Sequence, residues 1–268
     1  MPTTEQAVRD GGARHILPLS GGKDSTALAV YMLRRFPDTR FELVFSDTGA
    51  ELPETYQYLA RFEAILGVPI IRVTALDLLG VRAKAGRTPF DVVLHEHYGG
   101  FLPSPQARWC TRMLKIKPFE RYVGADPAYS YLGIRADERR SGYLPGRKPV
   151  LISDRPNILP VYPFKDARIG LAEVKALLEE SGLGLPPYYE WRTRSGCYFC
   201  FYQQIGEWQG LKEHHPELFE RAKAYEKAEN GRTYTWVDGR SLTDVEKLAR
   251  RHEIPSAEDL DGCAICHL

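Results

Sequence analysis

The sequence predicts an α/β fold, a doubly wound parallel sheet followed by a helical C-terminal region, on three observations. Short apolar runs alternate with segments of helical periodicity through the first 75 residues, in the order β-α-β-α-β. Polar turns close the first two apolar runs, where sheets of this kind place their ligands. The 268 residues are 43% hydrophobic, enough for one large domain or one domain with a smaller annex.

Each element follows from its local pattern. Residues 15–19 (H-I-L-P-L) form a short apolar run suited to a buried parallel strand. Residues 25–35 carry apolar side chains at helical spacing, with Asp24 or Ser25 as the expected cap. Residues 41–45 read as the second strand and end in the turn S-D-T-G. Residues 53–66 read as a helix with Pro53 in its first turn. Residues 69–73 give the third strand. Further on, 107–122 reads as a basic helix and 130–134 as another strand, followed by R-A-D-E-R-R. Residues 144–163 hold five prolines and read as an extended linker. From residue 170 the chain is helical, with turns at 182–187 and 230–231, and a boundary falls near residue 165.

Bulk composition narrows the function. Lys plus Arg is 36 and Asp plus Glu is 35, which excludes a globally basic nucleic-acid binder and leaves local patches open. No apolar run reaches the roughly 18 residues of a membrane span. The first residues lack the apolar core of a signal peptide, so the expected location is the cytoplasm. There, five cysteines point to metal or redox chemistry rather than to disulfides.

The chemistry begins at Ser20–Gly21–Gly22–Lys23–Asp24–Ser25, between the first strand and the first long helix. Gly21 and Gly22 let backbone N–H groups approach phosphate oxygens. The helix N-terminus favours an anion. Lys23 adds a point charge, and Ser20 and Ser25 add hydroxyl donors. Asp24 is a carboxylate beside phosphates, suited to capping the helix or to holding Mg²⁺. The spacing is not that of the Walker P-loop.

Cys197 and Cys200 form one C-x-x-C pair, Cys263 and Cys266 form another, and Cys110 stands alone. Two such pairs could make a Cys₄ zinc site, but more than sixty residues separate them, longer than in a compact zinc ribbon. Thiolates equally bind a [4Fe–4S] cluster. Any four-ligand scheme leaves one cysteine over, as a sulfur carrier or an inert thiol.

S-G-G-K-D-S after a strand resembles the PP-loop of the ATP pyrophosphatases, the adenine nucleotide alpha-hydrolase fold. Three later motifs resemble the phosphoadenosine phosphosulfate reductase branch: F-S-D-T-G-A-E-L-P-E-T (45–55), R-W-C-T-R-M-L-K-I-K-P (108–118) and Y-L-G-I-R-A-D-E-R-R-S (131–141). The resemblance covers about residues 15–205 and implies a PP-loop domain over 1–165 and a helical region with the C-x-x-C pairs over 166–268. It implies that Ser20, Gly21, Gly22, Lys23, Asp24 and Ser25 contact ATP phosphates and Mg²⁺, with Lys23, Asp24 and Ser25 catalytic. Asp47 and Thr48 would sit beside the nucleotide, Glu51 near metal or acceptor, and Gly133, Ile134 and Arg135 on the far side of the pocket. Arg135, Arg139 and Arg140 would neutralise phosphate charge. Cys110, Cys197 and Cys200 match the cluster cysteines of the iron–sulfur members. Residue 111 is Thr, so the fourth ligand would come from Cys263 or Cys266, and zinc stays open as the alternative.

Within this branch the cysteine motifs resemble proteins of DNA phosphorothioation systems. The implied activity is an ATP pyrophosphatase that adenylates a DNA backbone phosphate for sulfur insertion. Its partners would be ATP, DNA, a cysteine desulfurase or sulfur carrier, and other modification-system proteins. Arg108, Arg112, Lys115, Lys117 and Arg121 would contact the DNA, or form the solvated face of an amphipathic helix. Two other functions stay open. A sulfonucleotide reductase would use a cysteine near the chain end. A non-catalytic nucleotide-binding subunit would dock through Trp191, Trp208 and Trp236, residues that core packing explains as well.

Overall fold

The computed structural model describes residues 1–80, 86–138, 153–229 and 232–250. In chain order the elements are α1 (Thr4–Val8), β1 (Arg14–Leu19), α2 (Lys23–Arg35), β2 (Phe41–Asp47), α3 (Pro53–Leu66), β3 (Ile70–Thr74), α4 (Ala75–Leu79) and α5 (Pro89–His97). A helix follows whose first turn, α6 (Trp109–Thr111), passes through a π-helical turn (Arg112–Ile116) into α7 (Lys117–Val123). Then come β4 (Ala128–Tyr131), β5 (Ile158–Val161), α8 (Pro163–Asp166), α9 (Leu171–Glu180) and a 3₁₀ turn (Pro187–Glu190). The described chain ends with α10 (Ile205–His214), α11 (Pro216–Tyr225), the hairpin β6 (Lys227–Glu229) and β7 (Arg232–Tyr234), and α12 (Leu242–Glu246).

The five strands β1 to β5 form one all-parallel sheet in the order β3-β2-β1-β4-β5. The order reverses between β1 and β4, which makes the gap between them the topological switch point. β1 pairs with β2 over residues 15–19 but with β4 only over residues 14–16. The two central strands therefore part at their carboxyl ends, where sheets of this kind place their ligands.

The period of two along each strand separates the faces. Leu17, Leu19, Leu43 and Phe45 pack on one side against α2, α3 and α9. Ile16 and Val44 pack on the other side against Phe119 and Val123 of α7. A third core joins Phe90 of α5 and Trp109 of α6 to Trp208, Phe219 and Trp236. Side chains from before and after residue 165 share the two larger cores.

The structure corrects three sequence expectations. The proline-rich stretch 144–163 contains strand β5; its Pro160 lies on the edge of the sheet, where a missing N–H is tolerated. Residues 144–152 of that stretch lie outside the described residues. Helix α2 begins at Lys23, its N-cap is Gly22, and no side chain caps it, so neither Asp24 nor Ser25 is the cap. Trp191, Trp208 and Trp236 are all buried in the third core and offer no docking surface.

Candidate nucleotide and thiol site

Loop 20–22 leaves β1 at the switch point and turns directly into α2. Gly21 has φ +69°, a left-handed conformation, and a Cβ there would lie 2.6 Å from the Thr55 methyl. A Cβ on Gly22 would lie 2.5 Å from the Ser195 hydroxyl. The Ser20 and Ser25 hydroxyls are 3.0 Å apart, and the Ser25 hydroxyl also accepts from the Ser20 amide at 3.1 Å. The loop is thus held shut by its own serines, with glycine wherever another chain segment comes close.

The charges at the loop are buried and mutually paired. Lys23 Nζ lies 3.2 Å from Asp24 Oδ2, and Arg135 donates to Asp24 Oδ1 at 3.0 Å. Each of the three side chains is less than a tenth exposed. Burial opposes the charge on Lys23, but neighbouring Tyr189 and Asp24 outweigh it and hold the amine above its ordinary value. Burial likewise opposes the Arg135 charge, and Asp24 more than restores it. Lys23, Asp24 and Arg135 together carry +1, and on its outer side Arg135 also pairs with half-exposed Asp137 at 3.0 Å.

The other expected nucleotide residues converge on the same sheet end. Asp47 Oδ1 accepts from the Gly49 amide and the Tyr56 hydroxyl, both at 2.8 Å. Thr48 donates to Glu51 Oε1 at 3.0 Å. Glu51 is buried, and its other oxygen, Oε2, has no hydrogen-bond partner among the described residues. Gly133 presses on the first turn of α2: a Cβ there would lie 2.9 Å from the Asp24 carbonyl oxygen. The Ile134 side chain packs into the core on the α7 side of the sheet. Arg139 and Arg140 lie outside the described residues.

Cys110, Cys197 and Cys200 line one small, mostly apolar cavity with Thr48, Lys115 and Trp236 among its other walls. All three are free thiols. Burial pushes the Cys110 thiol up to about 11 and the Cys197 thiol further. Cys197 Sγ is 3.3 Å from Thr48 Oγ1, which ties the cavity to the carboxyl end of β2. The donors suit a thiophilic metal or an iron–sulfur cluster in kind. They do not yet suit one in spacing. No group of three His, Cys, Asp or Glu among the described residues is arranged to hold a metal ion. The cavity, about 40 Å³, has room for a few waters. Cys263 and Cys266 lie outside the described residues. The magnesium reading of Asp24 meets a similar constraint, since both carboxylate oxygens already bind cations and Lys23 would have to leave for an ion to enter.

Of the basic residues, Lys115 stands at the cavity, Arg112 is exposed, and Arg121 donates to the Leu78 carbonyl at 2.9 Å. Arg108 and Arg194 face the Tyr202 ring at 5.5 and 5.3 Å.

The structure adds residues that sequence reasoning missed. The Tyr188 hydroxyl donates to the Gly21 carbonyl at 2.7 Å. The Tyr189 hydroxyl accepts from the Lys23 amide at 3.3 Å. The Ser195 hydroxyl lies 3.2 Å from that of Ser20. Arg192, almost wholly buried, donates to the carbonyls of Gly196 and Cys197 at 3.1 and 2.8 Å. Of these, only Ser195 carried a sequence signal, its place in R-S-G-C-Y-F-C.

Comparison with known proteins gives a consistent setting. The family model described as phosphoadenosine phosphosulfate reductase domain matches residues 14–209. An uncharacterised protein of Methanocaldococcus jannaschii is 26% identical over 211 residues, 77% of this chain and 40% of the relative. A second from the same organism is 23% identical over 205 residues, 75% of this chain and 45% of the relative. An uncharacterised 37.8 kDa protein of Escherichia phage 186 is 27% identical, covering 91% of this chain and 84% of the relative. The chain thus spans less than half the length of the two archaeal relatives. Among solved structures, phosphoadenylyl-sulfate reductase from Candida auris matches with TM-score 0.46 and 16% identity, over 66% of this chain and 77% of that one. The U34-tRNA thiolase NcsA from Methanococcus maripaludis, solved with its [4Fe-4S] cluster, matches with TM-score 0.42 and 12% identity, over 97% of this chain and 80% of that one.

Proposed function

The chain belongs to the phosphoadenosine phosphosulfate reductase domain family, and from that premise we propose that it is an ATP pyrophosphatase acting in sulfur transfer. The supporting observation is that the phosphate loop and the three-thiol cavity meet at one end of the sheet, joined through the Thr48–Cys197 contact.

In this reading an acceptor oxygen attacks the α-phosphorus of ATP. The bond from that phosphorus to the α–β bridging oxygen breaks, and pyrophosphate leaves with the electron pair. A sulfur nucleophile then attacks the adenylated centre and AMP departs. The backbone amides of the loop and the N-terminus of α2 face the β and γ phosphates. Lys23 moves from Asp24 to the phosphates, and Arg135 remains as the second cation, so charge developing on pyrophosphate meets fixed positive charge. Ser20 and Ser25 donate hydroxyls to phosphate oxygens. Asp47 and Thr48 border the nucleotide, and Gly133 keeps β4 close to it. Magnesium, arriving with the nucleotide, would further screen the phosphates and draw on Asp24 once Lys23 has left it.

Cys110, Cys197 and Cys200, with Cys263 or Cys266 as fourth donor, would hold a [4Fe–4S] cluster, or zinc in the alternative, and such a group would supply sulfur handling at the cavity. The acceptor in this reading is a DNA backbone phosphate, approached by Arg108, Arg112, Lys115, Lys117 and Arg121. A desulfurase or sulfur carrier would deliver the sulfur.

Pyrophosphate release from ATP and Mg²⁺, measured with anaerobically purified protein and DNA, tests the reading. Release that disappears in Lys23→Ala supports it. Sulfite release from a sulfonucleotide with a thiol donor, and no pyrophosphate from ATP, would replace it with the reductase activity for which the family is named.

A further inference from the structure

Residues 187–200 touch both halves of the site. At one end three hydroxyls reach the phosphate loop. Tyr188 donates to the Gly21 carbonyl, Tyr189 accepts from the Lys23 amide, and Ser195 lies against Ser20. The Tyr189 ring also faces Lys23 Nζ at 5.2 Å. At the other end Cys197 and Cys200 line the thiol cavity. One residue, Gly196, separates Ser195 from Cys197, and its φ of +144° suits glycine alone.

The segment is firmly held from behind. Glu207, fully buried, accepts from the Thr193 amide and hydroxyl, both at 2.7 Å, and from the Gln204 amide at 2.8 Å. Arg192 grips the carbonyls on either side of the Gly196–Cys197 bond. The backbone of Tyr198 donates to the Ala50 carbonyl at 2.9 Å, just past Thr48. Within this anchored segment Ser195 and Gly196 link the loop at residues 20–22 to Cys197.

The contacts at the front are those an anion would contest. The Lys23 amide is the first of α2 and points along the helix axis, where a phosphate oxygen is a better acceptor than a phenol. The Ser195 hydroxyl sits so close to Gly22 that no side chain fits between them. A phosphate entering the loop must therefore meet both hydroxyls.

We propose that Tyr189 and Ser195 complete the phosphate site from the second half of the chain, and that Ser195, through Gly196, couples nucleotide occupancy to the position of Cys197. The two hydroxyls stand in the loop before nucleotide binds and turn to donate to phosphate oxygens when it does. Ser195 is then a positioning residue for the thiol cavity. The proposal rests on the loop being the ATP site.

Amide hydrogen exchange of the full chain, purified anaerobically with its own metal content, tests it. Exchange is followed by mass spectrometry with and without Mg²⁺ and α,β-methylene-ATP, and affinity is measured separately by calorimetry. The expected result is slowing by at least fivefold over residues 20–25 and over residues 196–200 together. In Ser195→Ala the affinity falls about tenfold, as loss of a hydrogen bond to a charged group predicts. Protection then persists at 20–25 but is lost at 196–200. Tyr189→Phe weakens affinity and keeps the protection at 196–200. Binding with protection confined to 20–25 in the unaltered protein overturns the coupling and leaves the ATP reading intact. Equal protection at 196–200 in Ser195→Ala also overturns it. If the analogue does not bind at all, the ATP reading fails first and the coupling with it.

Discussion

Asp24 is held between two cations, and removing each partner in turn should give an ordered set of results. Lys23, Asp24 and Arg135 together carry +1, with half-exposed Asp137 on the outer side of Arg135. Arg135→Met leaves a neutral Lys23–Asp24 pair. The losses are one charge-assisted hydrogen bond to Asp24 and the attraction of buried Glu138, while the Asp137 partner is half exposed and worth little, so the cost is about 2 kcal/mol. Asp24→Asn leaves two buried cations without their carboxylate. Breaking a buried ion pair on one side in this way costs about 3–5 kcal/mol. For a chain of this size each kcal/mol moves the thermal midpoint by roughly 2–4 °C. The midpoint should therefore fall by roughly 4–8 °C in Arg135→Met and roughly 6–20 °C in Asp24→Asn. Pyrophosphate without metal should reverse the order. Asp24→Asn, with one negative charge fewer, should bind it about tenfold more tightly than the unaltered protein, and Arg135→Met, with one positive charge fewer, more weakly. At a hundredfold excess over its dissociation constant the ligand adds about 2.7 kcal/mol and should recover much of the Asp24→Asn loss. Scanning calorimetry with and without pyrophosphate gives both quantities. If Arg135→Met costs as much as Asp24→Asn, or pyrophosphate binds Asp24→Asn no better than the unaltered protein, the cluster is not an anion site poised by Asp24.

Gly133→Ala places a methyl against the backbone of Asp24. It should cost about 1–3 kcal/mol in denaturant titration and suppress pyrophosphate release, because the first turn of α2 must shift. Glu42 is held below its ordinary carboxylate value by the Arg14 guanidinium at 2.9 and 2.5 Å. Its stabilisation is therefore complete above the unfolded value of 4.5 and lost as the pH falls through the lower folded value. Glu42→Gln should flatten the acid limb of a stability–pH curve, and an unchanged limb would refute the assignment. Cys110→Ser, Cys197→Ser and Cys200→Ser should each abolish absorbance near 400 nm and bound iron or zinc in anaerobically purified protein. Retention of full metal in any one of them removes that cysteine from the ligand set.

The sequence patterns located most of the sheet because buried parallel strands are short apolar runs and the helices between them keep a period of 3.6. Helix α3 is found at 53–66, as the periodicity and Pro53 predict. What escaped has physical causes. β5 is an edge strand with a proline in it, and proline density reads as linker wherever pairing partners are unseen. Asp24 resembles a cap because caps favour the same side chain. Here two cations draw the carboxylate away from the helix backbone. The phosphate loop and the three cysteines were visible because both are local patterns. Tyr188, Tyr189 and Arg192 were not, since each acts across more than 160 residues or on a backbone carbonyl, and neither leaves a local signature.

The helical C-terminal region packs at the carboxyl end of the sheet because of how the 187–200 segment is anchored. A segment that reached the 20–25 loop with only its own hydrogen bonds would be free to move. This one is tied to α10 by Glu207, whose two oxygens accept from Thr193 and Gln204. Helix α10 is in turn fixed by Trp208 in the core that also contains Phe90 and Trp109. Trp109 directly precedes Cys110, so the same core positions the lone cysteine and the C-x-x-C pair from opposite sides. Aromatic packing thus helps to position the three thiols, and a mutation in that packing should alter metal retention without touching a ligand. Gly210→Ala is the sharpest case. Its Cβ would lie 2.8 Å from the Trp191 ring, next to Arg192, and no thiol is altered. A loss of bound metal in this variant while the loop still binds nucleotide would show that the C-terminal helices set the thiol geometry. Full metal retention with a lowered thermal midpoint would show that they only stabilise the fold.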